Sequence, residues 1–465
     1  MAESYEVRNP ADGSLVGTIP YGDAATAREA ADAAKAAFPA WSTTPARARA
    51  DILLKISAIL AERAETIGWL LSTETGKRLA EGVAELRFSS EYFRWFAEEA
   101  RRAGGEIIPN EAPNRRHHVI SRPAGVALSL TPWNFPVSIQ ARKLAPALAA
   151  GCTVVARTSE KAPLAVVELF EVMKAAGLPQ GVANLVHGPA PEQTEALLQH
   201  PAVRVVSFTG STPVGRLVMK QASQRIVRPL LELGGDAPFI VFADADMDRA
   251  VEGAMAAKFR NNGQSCIAAN RFFVEGSVFD EFTERLATRI DAMKVGDPLG
   301  DQDPDLGPLI DAERRDAVVD VVKDALGRGG ELATRTRDDL DGAFMAPALV
   351  VGAPDDARIG SEEVFGPAAG VFRFGDEDEL VERANNTEMG LAAYVYTSNL
   401  ERSIRMQDRI QSGILGLNNA LPSVSFSPMG GVKQSGLGRE GARQGLEEFT
   451  ELTYVSTELG WTRPA

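Results

Sequence analysis

The chain has 465 residues, 45% hydrophobic and 24% charged, with 49 Lys plus Arg against 63 Asp plus Glu for a formal net charge of −14. That ordinary globular balance points to about two or three domains and excludes a disordered, collagen-like or disulfide-built chain, while the acidic surplus argues against nucleic acid as a partner. No stretch nears the roughly 20 apolar residues of a membrane span, no secretory leader is visible, and the two cysteines, Cys152 and Cys266, fit a reducing compartment, so a cytoplasmic enzyme is expected.

The first hundred residues read mostly as helices. Residues 23–38 are Ala-rich with Asp23 as a cap, residues 46–63 follow Pro45, and a third helix covers about 78–101. Thr75-Gly76-Lys77 reads as a turn and Gly104-Gly105 as the end of the helical stretch. Residues 115–122 form a polar, β-prone segment, a surface hairpin or a protruding ribbon. An apolar strand at 125–130 leads into a turn at 131–136 and then a helix. From Cys152 onward strands (153–156, 182–186, 204–208, 225–231) alternate with helices (163–176, 192–199, 214–222). This alternation predicts a parallel sheet flanked by helices, with ligands beyond the carboxyl ends of its strands. A second α/β segment opens at Asp236 with a strand at 239–242, a helix at 247–259 and a strand at 271–274; residues 334–341 read as a charged, exposed linker.

Four places could carry chemistry. Gly210 and Gly215 stand five apart where a strand meets a helix, and free helix N–H groups there suit a pyrophosphate. Thr212 replaces the middle glycine of the usual fingerprint, and Pro213 removes one donor. Cys152 lies in apolar sequence and reads as core, whereas Cys266 follows Asn-Asn-Gly-Gln-Ser, a polar setting that makes it the better nucleophile. None of the four histidines, His117, His118, His187 and His200, is placed for a Cys–His pair. Glu232 sits inside the apolar run Leu230-Leu231-Glu232-Leu233; it is either a buried ion-pair partner or a general base tuned by desolvation. Asn134, between Trp133 and Phe135, is a turn residue or an oxyanion donor.

Together with Glu362-Glu363-Val364-Phe365-Gly366-Pro367 and the segment from Pro428 to Gly436, these motifs resemble, in order, those of the aldehyde dehydrogenase superfamily. The resemblance implies an α/β fold with a Rossmann-like cofactor domain (residues 1–112 and 125–234) and an α/β catalytic domain (235–430). Residues 113–124 and 431–465 would supply a small β oligomerisation ribbon and a C-terminal tail joining subunits into a homodimer or homotetramer. It implies that Cys266 attacks the aldehyde carbon and that the Asn134 amide and the Cys266 N–H hold the oxyanion. Hydride then passes to the nicotinamide, Glu232 activates water to hydrolyse the thioester, and Lys143 serves proton transfer or positioning. Trp133, Arg157, Ser159, Glu160, Gly210, Ser211, Gly215, Leu233, Glu363 and Phe365 would bind the cofactor, and no metal is implied.

Two departures bear on the cofactor and the tunnel wall. Arg157 stands where the family usually has Lys, and Glu160 is a carboxylate that would repel a 2′-phosphate, so NAD is expected, with NADP as the alternative. Met429 replaces a common Phe beside the substrate tunnel. Within the superfamily the chain is most similar to succinate-semialdehyde dehydrogenases, whose two arginines and serine for the distal carboxylate match Arg142, Arg260 and Ser423. The alternative for the arginines is structural ion pairing. Ala268, two residues after Cys266, offers no second thiol. The other functions to weigh are oxidation of an aromatic or aliphatic aldehyde, and a non-catalytic protein that has kept the fold.

Overall fold

The computed structural model describes residues 3–300, 302–337 and 339–460. A hairpin of β1 (Glu3–Arg8) and β2 (Leu15–Tyr21) comes before the helices. The Asp23 carboxylate then accepts from the N–H groups of Ala25 and Thr26 and caps α1 (Ala24–Thr43), which runs past its expected end through Pro39 and buries Trp41. The α2 helix (Ala46–Glu62) and the α4 helix (Leu79–Ala100) flank α3 (Ala64–Thr75), a helix absent from the sequence-based expectation. Gly76 ends α3 at φ 74°, the left-handed geometry that glycine adopts without strain.

After β3 (Glu106–Ile108) and β4 (Arg115–Pro123) the chain builds its first parallel sheet. Its strands are β5 (Val126–Thr131), β6 (Thr153–Thr158), β7 (Ala183–Val186), β8 (Val203–Thr209) and β9 (Arg228–Glu232). The connecting helices are α5 (Pro136–Ala150), α6 (Leu164–Ala175), α7 (Ala190–Leu198) and α8 (Thr212–Ser223). Every residue of β5 and β6 is buried, as a strand covered by helices on both faces requires. The spatial order β9-β8-β5-β6-β7 means that the chain winds outward from β5 through β6 to β7, then returns to lay β8 on the other side of β5. The loops after β5 and β8 therefore diverge and open a crevice at the strands' carboxyl ends, where such sheets hold ligands.

The second sheet has seven strands in the order β12-β13-β14-β11-β10-β15-β16. They are β10 (Ala237–Val241), β11 (Ala269–Glu275), β12 (Glu331–Leu332), β13 (Ala348–Val351), β14 (Ala368–Phe374), β15 (Ala392–Tyr396) and β16 (Ile414–Leu417). All pairs are parallel except β12 with β13. The α9 helix (Met247–Phe259) links β10 to β11. Near the end, β17 (Gly436–Leu437) pairs with β9 at Leu231 and Glu232, and β18 (Thr450–Glu458) runs antiparallel along β4 from Pro123 to Arg115. Thr334, in the expected exposed linker, is buried because its hydroxyl accepts from the Leu349 N–H; the described residues from Arg335 on are mostly exposed, and Asp338 lies outside the described residues. Among the described residues no helix is long and apolar enough to cross a membrane.

Candidate active site

The turn at residues 132–136 is fixed from beneath by two buried charges. Lys77 is fully buried, and its ammonium donates to the Asn134 carbonyl at 2.8 Å and to Glu85 at 2.5 Å. The other Glu85 oxygen accepts from the N–H groups of Val137 (3.0 Å) and Ser138 (3.1 Å). It thus caps α5, whose own N-cap, Phe135, has no side-chain acceptor. Removing that carboxylate leaves the Lys77 ammonium buried without its counter-charge. Glu85→Ala is therefore expected to lower stability by about 3–5 kcal/mol in equilibrium urea unfolding.

Cys266 enters from the second sheet. After α9 the backbone turns through Asn261 (φ 54°), Asn262 (φ 57°) and Gly263 (φ 74°), three successive left-handed residues. Asparagine and glycine tolerate that conformation best. A Cβ on Gly263 would lie 2.3 Å from the Gly366 carbonyl oxygen. The Asn262 amide donates to the Pro308 carbonyl at 2.8 Å, and its oxygen accepts from the Gly307 N–H at 2.9 Å. The Asn261 amide donates to the Asn134 carbonyl at 2.9 Å, tying the nucleophile loop to the 132–136 turn. The Asn134 side-chain amide donates to the Gln264 carbonyl at 3.0 Å, and Asn134 and Cys266 line one cavity.

Two cavities meet at Cys266. One, of about 230 Å³, lies in the crevice between β5 and β8 and is lined by Trp133, Asn134, Gly210, Ser211, Leu233, Glu363 and Phe365. The other, of about 200 Å³, is lined by Phe135, Arg142, Glu232, Arg260, Ser423 and Met429. Cys266 lines both. Arg142 and Arg260 differ in partners. Arg142 is buried, with Nη1 3.5 Å from Glu232 and 3.6 Å from Glu440. Arg260 lies over the Phe135 ring at 5.4 Å, and no carboxylate among the described residues is within ion-pair distance of it. Arg142 thus has two carboxylates within ion-pair distance while also lining the cavity, whereas Arg260 has none among the described residues.

Burial raises the Cys266 thiol well above its ordinary range, and the adjacent Glu232 carboxylate adds to the rise while Arg142 opposes it. Burial also raises Glu232; Arg142 pulls it back and Glu440 pushes it up. Glu232 Oε2 accepts from the Thr209 hydroxyl at 3.2 Å, while Oε1 has no hydrogen-bond partner among the described residues. Lys143 lines neither cavity. Its ammonium donates to Ser207 at 2.9 Å and to Glu440, and it reaches Glu232 only through field and the shared Glu440–Arg142 contact. Glu440, 297 residues from Lys143 in sequence, belongs to this cluster without any local motif to announce it. Lys77 and Glu85 likewise carry no local signal of their partners, whereas the consecutive Asn-Asn-Gly before Cys266 is a signal for left-handed backbone.

The crevice suits a dinucleotide. The α8 N-terminus follows Gly210 directly, and its N-cap Ser211 makes no side-chain cap, which leaves the end of the helix to an anionic ligand although Pro213 supplies no N–H. A Cβ on Gly215 would lie 2.4 Å from the Leu233 side chain, so glycine lets α8 seat against the end of β9. Glu363, pushed up to about 7 by burial, accepts from the Gly235 N–H at 3.2 Å, and a Cβ on Gly234 would lie 2.6 Å from its carboxyl oxygen. Phe365 holds a left-handed φ of 49°, a strained geometry that sets its ring edge-on to Trp133 at 5.5 Å. Arg157, Ser159 and Glu160 stand apart from this lining, at the end of β6. Arg157 donates to Glu160 at 2.8 Å and to the Gly188 carbonyl at 3.0 Å, and its buried Nε has no partner among the described residues.

Comparison with known proteins places this geometry in context. The model of the aldehyde dehydrogenase family matches residues 1–455. The chain is 42% identical over 458 residues to succinate-semialdehyde dehydrogenase [NADP(+)] GabD of Escherichia coli (strain K12), covering 98% of this chain and 95% of that protein. It is 41% identical to glutarate-semialdehyde dehydrogenase of Pseudomonas putida over 97% of this chain and 94% of that one. A crystal structure of aldehyde dehydrogenase from Brucella melitensis biovar abortus 2308 superposes with a TM-score of 0.97 at 43% identity, covering 99% of this chain and 95% of that one.

Proposed function

The chain belongs to the aldehyde dehydrogenase family and oxidises aldehydes with NAD or NADP, and from that premise we propose that its substrate is a short aldehyde with a distal carboxylate, succinate semialdehyde first. One observation carries this reading: Cys266 stands where the dinucleotide crevice meets a cavity whose wall includes Arg260, a guanidinium without a carboxylate partner among the described residues. A planar guanidinium and a serine hydroxyl in the wall of one cavity suit a carboxylate, and the relatives named for succinate and glutarate semialdehydes support that chemistry.

In this reading Cys266 attacks the aldehyde carbon. The Asn134 amide and the Cys266 backbone N–H hold the oxyanion as charge develops on it. A dinucleotide held in the crevice would supply the hydride acceptor. Trp133, Gly210, Ser211, Leu233, Glu363 and Phe365 line its site; Gly215 lets α8 approach, and Arg157, Ser159 and Glu160 hold the adenosine end. The Glu160 carboxylate would repel a 2′-phosphate and favour NAD, while Arg157, paired with it at 2.8 Å, would partly offset that and leave NADP as the alternative. The thioester left on Cys266 is hydrolysed by water that Glu232 deprotonates, and Lys143 fixes Glu440 behind that base. The first sheet, with residues 1–112 and 125–234, forms the cofactor domain, and residues 235–430 form the catalytic domain. The ribbon exposes Leu452 (74%) and Tyr454 (59%), and β3, which pairs with β4, exposes Ile107 (89%), apolar surface that a second copy would cover in a homodimer or homotetramer. A cytoplasmic location suits the two free cysteines.

Arg260→Ala tests the substrate. It is expected to lower kcat/KM for succinate semialdehyde by about 10–100-fold, the worth of charge-assisted hydrogen bonds to the carboxylate, and to leave butanal nearly unchanged. Glutarate semialdehyde, assayed alongside, reads the chain length that the cavity prefers. Equal losses on butanal and succinate semialdehyde would remove the carboxylate clamp.

A further inference from the structure

We propose that Arg142 is shared between Glu232 and the distal carboxylate of the substrate, so that an acidic aldehyde, once seated, draws the guanidinium away from the base and frees it to activate water. This inference rests on the reading of Glu232 as the base and of an acidic aldehyde as substrate. Arg142 lines the same cavity as Cys266, Arg260 and Ser423, yet its Nη1 also stands 3.5 Å from Glu232 Oε2 and 3.6 Å from Glu440 Oε2. Both separations exceed the roughly 2.7–2.9 Å of a tight charge-assisted hydrogen bond. The guanidinium is therefore held to these carboxylates by field rather than by a fork. Its Nε donates to the Tyr92 hydroxyl at 3.0 Å and Nη1 lies against the Met429 sulfur, and the unbranched Met429 side chain can move with it.

The two carboxylates are not equally dependent on Arg142. Glu440 has Lys143 and the Ser207 hydroxyl on Oε1. Glu232 has the Thr209 hydroxyl and no cation other than Arg142 within ion-pair distance among the described residues. A substrate carboxylate that forms a close pair with Arg142 would therefore cancel the main positive field on Glu232. The groups facing this exchange are Tyr92 from α4, Arg142 and Lys143 from α5, Glu232 from β9, Cys266 and Arg260 from the loop after α9, and Glu440; Glu81 and Glu85 line the cavity farther along. In the step affected, water forms a bond to the acyl carbon as one of its protons passes to Glu232. The carbon–sulfur bond then breaks and Cys266 leaves as thiolate. With Arg142 withdrawn, Glu232 is the stronger base, and the distal carboxylate accelerates hydrolysis as well as binding.

The test compares pH profiles of kcat for succinate semialdehyde and butanal on the full-length enzyme with saturating NAD, under conditions where a burst of NADH shows hydrolysis to be slow. The apparent pKa of the base is expected about one pH unit higher for succinate semialdehyde, the effect of losing a neighbouring opposite charge. In Arg142→Leu the butanal profile should rise to meet it, and in Arg142→Lys it should stay low; the burst amplitude reports that each variant has assembled its site. Coincident wild-type profiles overturn the sharing of Arg142 while leaving Glu232 as the base, and need no variant to fold. A Glu232→Gln enzyme that hydrolyses the acyl group at the wild-type rate removes the base itself and the proposal with it.

Discussion

Cys266→Ala is expected to abolish aldehyde oxidation, by about four orders of magnitude or more, while dinucleotide binding persists. The reason is geometric. Cys266 lines both cavities, whereas Cys152, the other cysteine, is fully buried against the Phe449 carbonyl at 3.2 Å and cannot substitute. Trp133 lines the crevice beside Phe365, so quenching of its fluorescence by added NAD checks that the variant still binds. The thiol's resting state gives a second readout. Burial and then the Glu232 carboxylate raise it well above the ordinary thiol range. Alkylation by iodoacetamide should accordingly be slow at neutral pH and quicken as pH rises. Replacing Glu232 by Gln removes a negative neighbour, which favours the thiolate, and should move the alkylation profile to lower pH.

Glu232→Gln is expected to split the reaction in two. Acylation and its hydride transfer need Cys266, the Asn134 amide and the cofactor, all of which the substitution leaves in place. Hydrolysis needs a base, and its loss should slow turnover by about 10²–10⁴-fold behind a burst of NADH approaching one per active site. The wild-type acid limb follows from the same residue. Burial raises Glu232 above the usual carboxylate range, with Arg142 opposing. Hydrolysis should therefore fail at a higher pH than an exposed glutamate would dictate, and stopped-flow traces with a burst at low pH would show that the second half-reaction is the one lost.

Periodicity and punctuation carried most of the fold. The helix at Met247–Phe259 begins and ends where the sequence places it, and the alternation from Cys152 to Leu231 gives the parallel sheet within a few residues at each boundary. The β1–β2 hairpin gives little signal because β1 is largely polar and β2 carries Gly17 and Pro20 within its run, and α3 because Gly76 marks the end of a helix whose start at Ala64 follows α2 after a single residue. The site divides along the same line. Cys266, Glu232 and Asn134 stood out because each is chemically out of place in its local run. Glu440, Lys77 and Glu85 stand in unremarkable sequence, and although Lys77 and Glu85 pair with each other eight residues apart, the contacts that tie the three into the site are to residues 297, 57 and 52 positions away. Separation on that scale is visible only once the chain is folded.

The central claim is that the oxidised acyl group rests on Cys266, and intact-mass and peptide mass spectrometry of Glu232→Gln mixed with succinate semialdehyde and NAD tests it most directly. A single acyl adduct, mapped to the peptide containing Cys266, released by hydroxylamine and formed in step with NADH, is the expected result. NADH formed without an adduct, or with one on another residue, would contradict the account.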